Sequence, residues 1–159
     1  MQNNKNERYK PGRKMKRKKY KLTVASATEN LEVVRDFIRR LATRADFSVE
    51  QSEQIELAVD EACTNVIKHA YKFNPRRLMH VIVFVDDEKM EIQVEDKGPG
   101  FDFEKLEPPQ IAKRISGAKP GGLGIHIMKK VMDKVEFSID PGKRNRVTLI
   151  KYRNRRNVS

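Results

Sequence analysis

Two apolar runs, Met79–Val85 and Met90–Glu95, are separated only by Asp86-Asp87-Glu88-Lys89. A link that short reverses the chain, so the two runs form a β-hairpin. A second pair, Val135–Ile139 and Arg146–Tyr152, turns back at Pro141-Gly142. Tyr20, Leu22 and Val24 alternate with Lys19, Lys21 and Thr23, the period of a half-buried strand. The remaining apolar residues follow a helical period. Ser26 and Glu29 have capping-box spacing, ahead of Leu31, Val34, Phe37, Ile38 and Leu41, with Arg35, Arg39 and Arg40 on the polar face. Ser48 and Gln51 open a longer helix through Ile55, Ala58, Val59, Ala62, Val66 and Ile67, ending near Tyr71 before Asn74-Pro75. A third helix, Ile125–Met132, follows Gly121-Gly122-Leu123-Gly124. The order β-α-α-β-β-loop-α-β-β, without repeats, predicts an α/β two-layer sandwich: a mixed, mainly antiparallel sheet with helices on one face.

At 159 residues the chain has room for one ordinary domain. Its longest apolar run, Val81–Val85, is far short of the roughly 18 residues of a membrane span. The start, Met1-Gln2-Asn3-Asn4-Lys5, has neither the apolar stretch of a secretory signal nor the glycine of a myristoylation site. Cys63 is the single cysteine, so no internal disulfide forms and a reducing cytoplasm is the expected location.

The net charge of +12 suggests a nucleic-acid binder until it is divided along the chain. Met1–Lys21 holds 10 Lys and Arg against one acid, and Lys143–Ser159 holds 7 against none. Residues 22–142 have 17 basic and 21 acidic residues, a net −4. An acidic body therefore carries basic ends, and the expected layout is a basic tail over 1–20, a domain over 21–152 and a second basic tail over 153–159. A block such as Arg13-Lys14-Met15-Lys16-Arg17-Lys18-Lys19 has little to bury and reads as a disordered, solubilising tail. Contact with nucleic acid or an anionic membrane is the alternative use of such charge, and is not favoured because aromatic interleaving is thin.

Three spots carry candidate chemistry. Glu61 and Asn65, four apart, share one face of the long helix amid Ala58, Ala62 and Val66; alone, such a pair is usually a solvated face. In Glu95-Asp96-Lys97-Gly98-Pro99-Gly100 an acid ends a strand and two glycines let the backbone approach a ligand, although a plain turn has the same composition. Gly121-Gly122-Leu123-Gly124 reads as the turn before a helix, where free amides and the dipole attract phosphate. From Phe101 to Pro120 periodicity is poor and the stretch reads as a long loop, of the kind that is usually functional. The P-loop pattern is absent, the glycines do not follow the first strand of a βαβ unit, and neither His-Arg-Asp nor Asp-Phe-Gly occurs.

Taken in order, with Asn65 and Asp96 31 residues apart and Asp96 and Gly122 26 apart, the three spots resemble the N, G1 and G2 boxes of the Bergerat-type ATP-binding fold shared by DNA gyrase, MutL and histidine kinases. Within it, Asp60-Glu61-Ala62-Cys63-Thr64-Asn65-Val66-Ile67-Lys68-His69-Ala70-Tyr71 and Gly122-Leu123-Gly124-Ile125 are most similar to the anti-sigma factor serine kinases of bacterial stress and sporulation control. The resemblance spans about Tyr20 to Tyr152. It implies that Asn65 gives an amide oxygen to Mg²⁺, an ion that takes few ligands from protein. Glu61, one turn earlier, would accept the proton of the attacking hydroxyl. Asp96 would meet the adenine amino group, with Gly98 and Gly100 leaving room for the purine. The amides of Gly122, Leu123 and Gly124, together with Lys119, would meet the phosphates, and the loop before Pro120 would be the ATP lid. Arg144-Asn145 stands where these kinases usually carry Gly-Thr. His69 reads as a packed residue at the helix end and Cys63 as a small core residue.

The resemblance implies an ATP- and Mg²⁺-dependent protein serine kinase and anti-sigma factor. Its partners would be an anti-anti-sigma factor, phosphorylated on serine, and a sigma factor; a homodimer is implied as well. An ATP-binding regulatory scaffold without kinase activity is the alternative, against which Glu61 argues. A nucleic-acid-associated ATPase is a third possibility, motivated by the tails alone.

Overall fold

The computed structural model describes residues 16–100 and 120–154. In chain order its elements are β1 (Lys18–Ala25), a 3-10 turn (Thr28–Asn30), α1 (Leu31–Arg44), α2 (Val49–Asn65), a π-helical turn (Val66–Ala70), β2 (Leu78–Val85), β3 (Lys89–Asp96), α3 (Pro120–Val131), β4 (Lys134–Asp140) and β5 (Arg144–Tyr152). The strands form one sheet in the order β1-β2-β3-β5-β4. Every pairing is antiparallel, including β3 with β5, so the sheet expected as mixed has no parallel pair among the described residues.

Alternation sorts the strand residues onto two faces. Met79, Val81 and Val83 of β2, Ile92 and Val94 of β3 and Leu149 of β5 are buried in one core with the apolar faces of the helices. The other face is polar and tied by pairs such as Thr23 with His80 (2.8 Å) and Arg146 Nε to Glu95 Oε1 (2.7 Å). β1 begins at Lys18, ahead of the expected start at Tyr20, because the alternation continues upstream. Lys19 lies over the Phe84 ring and Arg17 both pairs with Glu91 and stacks on Phe84. At the other end, Arg153 donates from its backbone nitrogen to the Glu88 carbonyl at 2.8 Å. The remainder of both expected tails lies outside the described residues.

The Ser48–Gln51 capping box forms in full: Ser48 Oγ accepts from the Gln51 amide at 3.1 Å and Gln51 Oε1 from the Ser48 amide at 3.4 Å. The matching Ser26–Glu29 box does not form. Ser26 is buried and its backbone is held by the Arg77 carbonyl at 2.8 Å, so the helix is entered through the 3-10 turn instead. The basic face of α1 grips α2 through Arg35 to Asp60 (3.1 Å) and Arg39 to Glu56 (2.8 Å). No helix of the described residues is long and apolar enough to cross a membrane.

Candidate functional site

The capping box sets where α2 starts, and its apolar stripe sets the roll that turns Glu61 and Asn65 to one side. Asn65 is buried and Glu61 half-buried. Gly124 of α3 meets them there: a Cβ added to it would lie 2.7 Å from Glu61 Oε2 and 3.5 Å from both amide atoms of Asn65. α3 begins at Pro120, so the glycines expected in a turn before the helix lie inside its first turns. Proline suits the first helical position, and glycine, poor in a helix, is kept where a backbone must pass close to α2. Leu123 is exposed, and Gly122 lies in the first turn described for α3.

Burial raises the Glu61 carboxyl above the usual carboxylate range, Asp60 beside it adds to the rise, and Lys68 opposes it. Such a group is a better proton acceptor than an ordinary surface glutamate. Cys63, on the opposite, core side of the helix, has its thiol pushed up to about 12 by burial and by Asp60, which removes it as a nucleophile.

After Asn65 the helix widens into the π turn, with the Tyr71 amide donating five residues back to Val66 at 2.9 Å. π turns are frequent at functional sites. Here the turn presents Ala70 to Gly98, whose added Cβ would lie 2.9 Å from both Ala70 Cβ and the Ala70 carbonyl. Tyr71 then locks the two segments, its hydroxyl donating to the Leu78 carbonyl at 3.0 Å and accepting from the Lys97 amide at 2.7 Å. His69 is half-buried in the same turn and does not line the cleft described next.

Asp96, the last residue of β3, is buried opposite Asn145 of β5. Its Oδ1 accepts from the Gly98 amide at 2.8 Å and from Asn145 Nδ2 at 3.0 Å. Asn145 Nδ2 also donates to the Gly98 carbonyl at 2.9 Å, and the Gly142 amide reaches that carbonyl at 2.8 Å. Gly100 has φ of +73°, a conformation that glycine adopts without strain, and packs on Ile139 and Asn145. The replacement of Gly-Thr by Arg144-Asn145 therefore leaves Asp96 with a side-chain donor.

An open cleft runs from Asn65 to the Asp96–Asn145 pair. Ala62, Val94, Met128, Phe137 and Val147 form apolar walls, and Asn65, Asp96 and Asn145 put polar groups on it. An apolar slot with a few convergent polar atoms is the usual form of a small-molecule site. The structure thus brings Glu61 and Gly124 together beside Asn65, which lines the cleft, and Gly98 beside Asp96, which lines it with Gly100. Lys119 and the stretch expected to be the ATP lid lie outside the described residues. The sequence reading missed Tyr71 as a lock; it placed Asn145 where the family's threonine bonds beside the Asp96 carboxylate but counted the change against that bond, which the asparagine makes.

A model of the Histidine kinase-like ATPase domain matches residues 24–151. The serine-protein kinase RsbW of Halalkalibacterium halodurans is 38% identical over 125 residues, covering 76% of each chain. RsbW of Bacillus pumilus is 34% identical over 143 residues, covering 86% of this chain and 87% of its own. The chain belongs to the RsbW family of histidine-kinase-like ATPases. The crystal structure of the RsbU and RsbW domains of a Mycobacterium tuberculosis protein shares the fold, with TM-score 0.63 at 15% identity over 89% of this chain and 35% of that one.

In this RsbW-family chain Gly124 has a testable role. Gly124→Ala crowds only the far end of the flexible Glu61 side chain, with Asn65 at ordinary contact distance, and gains helix propensity, so melting temperature should hold or rise. With Glu61 as the proton acceptor that the sequence leads one to expect, displacing its carboxylate by about 1 Å should nevertheless cut kcat/KM for phosphotransfer by roughly 10²-fold. Undiminished activity would separate Gly124 from the reaction.

Proposed function

We propose that the chain is a cytoplasmic, Mg²⁺-dependent kinase that transfers the γ-phosphoryl group of ATP to a serine of a small anti-anti-sigma protein, and that it holds a sigma factor once that antagonist is phosphorylated. The observation that carries this reading is that Asn65, which lies with Glu61 beside Gly124, and the hydrogen-bonded Asp96–Asn145 pair line one and the same cleft. The names of the relatives support the serine substrate. A homodimer, expected from the resemblance, belongs to the same reading.

Each residue has a defined task. Asp96 offers a buried acceptor to the adenine amino group, and the glycines beside it leave the base space. The apolar walls exclude water from the base. The backbone around Gly122 and Leu123 in the first turn of α3, with Gly124 just behind it, suits phosphate oxygens drawn to a helix N-terminus. Lys119, just upstream, would add a positive charge. Glu61, with its raised proton affinity, accepts the serine hydroxyl proton as attack proceeds. The Asn65 side chain lines the cleft one helical turn from Glu61 and offers the single hard amide oxygen that suits a Mg²⁺ otherwise held by phosphates and water. When bound, that ion supplies charge neutralisation on the transferring phosphoryl group.

Incubation with radiolabelled ATP and candidate antagonist proteins tests the reading. Label on serine supports it; free phosphate alone would make the chain an ATPase, and no turnover would make it a nucleotide-binding scaffold. The metal role has its own measurement. Asn65→Ala should lower nucleotide affinity in Mg²⁺ to near the value in EDTA, and an unchanged Mg²⁺ dependence would remove Asn65 from the site.

A further inference from the structure

We infer that Asn145 Oδ1 is a second hydrogen-bond acceptor for the exocyclic amino group of the adenine, so that this chain grips both N–H bonds of that group where a single carboxylate would grip one. The inference rests on the proposed ATP site. The orientation of the Asn145 amide is fixed by its neighbours: Nδ2 faces two acceptors, Asp96 Oδ1 at 3.0 Å and the Gly98 carbonyl at 2.9 Å, and the flipped amide would set oxygen against oxygen at both. Oδ1 is thereby turned away from them. It is buried, in a residue only 4% exposed, and accepts no hydrogen bond from any described residue.

A buried carbonyl left without a donor is costly, so its persistence in a ligand cleft marks a place where a ligand donor completes it. Asn145 lines the same cleft as Asp96 and sits directly across from it in the β3–β5 register. Space is kept beside the free oxygen, because a Cβ at Gly100 would lie 3.4 Å from Oδ1 and glycine supplies none. Two acceptors from paired residues on one cleft call for a group with two divergent N–H bonds, which an amino group on a purine has. A threonine at this position would give Asp96 its donor without presenting a carbonyl.

Calorimetric titration of the full chain with ATP, N6-methyl-ATP and the triphosphate of purine riboside, which lacks the amino group, tests this. Wild type should bind N6-methyl-ATP roughly 5- to 100-fold more weakly than ATP, because one acceptor is left unpaired. Asn145→Thr should weaken ATP by a similar factor while binding the purine riboside triphosphate as wild type does. Equal wild-type affinity for ATP and N6-methyl-ATP overturns the inference without any variant, and so does an Asn145→Thr protein that binds ATP undiminished. If ATP binds well but the triphosphates are not distinguished, the nucleotide site stands and the amino-group clamp falls. If wild type binds no ATP, both readings fall.

Discussion

Glu61→Ala should transfer phosphate roughly 10²- to 10⁴-fold more slowly than wild type while binding ATP with little change, the signature of a lost general base. Binding survives because Asp96, the glycines and the apolar walls are untouched. The pH profile sharpens the test. Burial and Asp60 hold the Glu61 carboxyl above the usual range, so wild-type activity should climb with pH through that raised value and the variant should lose this limb. The same shift has a consequence for stability. The folded chain holds the Glu61 proton more tightly than the unfolded chain, so folding is penalised as pH rises through the interval between the two values. Glu61→Gln, which cannot ionise, should therefore melt higher than wild type at neutral pH and equal to it at pH values below the unfolded carboxyl's. Full activity in Glu61→Ala would end the assignment.

Elements whose stability is local were legible in the sequence. The β2–β3 hairpin needed only a four-residue link between apolar runs, and α2 needed only its stripe and the reciprocal bonds of Ser48 and Gln51. Spacing failed where tertiary contacts decide. Ser26 and Glu29 have the same separation as Ser48 and Gln51, yet β1 and the Arg77 carbonyl hold Ser26 in the interior before any helix begins. The glycine run looked like a turn because glycine is a poor helix former. It lies inside α3, and at Gly124 α2 comes so close that a Cβ would meet Glu61 Oε2. The widening of α2 after Asn65 has no residue-level signal at all, since its cause is the docking of Ala70 and Tyr71 on the end of β3.

The site itself was legible only as three separate motifs. Glu61 and Gly124 are 63 residues apart in the chain and Asp96 and Asn145 are 49 apart, so no local rule relates them. Their order supplied the likeness to a family, and the fold supplied the contacts. Asn145 illustrates the limit. Against the usual Gly-Thr it read as a departure, whereas an amide both donates to Asp96 and keeps an oxygen in reserve.

Asp96→Asn should abolish most of the preference for ATP over GTP. The carboxylate has two tasks. Oδ1 holds the Gly98 amide and Asn145 Nδ2, which ties the strand end, the glycine turn and β5 into one piece. Its other oxygen takes no donor among the described residues, in a side chain that lines the cleft. Alanine would confuse the tasks, leaving two donors unpaired inside the protein at about 1–3 kcal/mol each. Asparagine keeps an acceptor for those donors and turns the second oxygen into an amide donor. Facing the adenine amino group, also a donor, that amide should weaken ATP by roughly 10²-fold, the usual cost of mismatched polar groups in a site built for hydrogen bonding. GTP presents a carbonyl at the equivalent ring position, so its affinity should rise relative to ATP and the ratio should move towards one, with Asn145 Oδ1 still favouring the amino group. Melting temperature should change little. Calorimetry with both nucleotides decides the matter: an Asp96→Asn protein that still prefers ATP as strongly as wild type would mean that the base is read elsewhere.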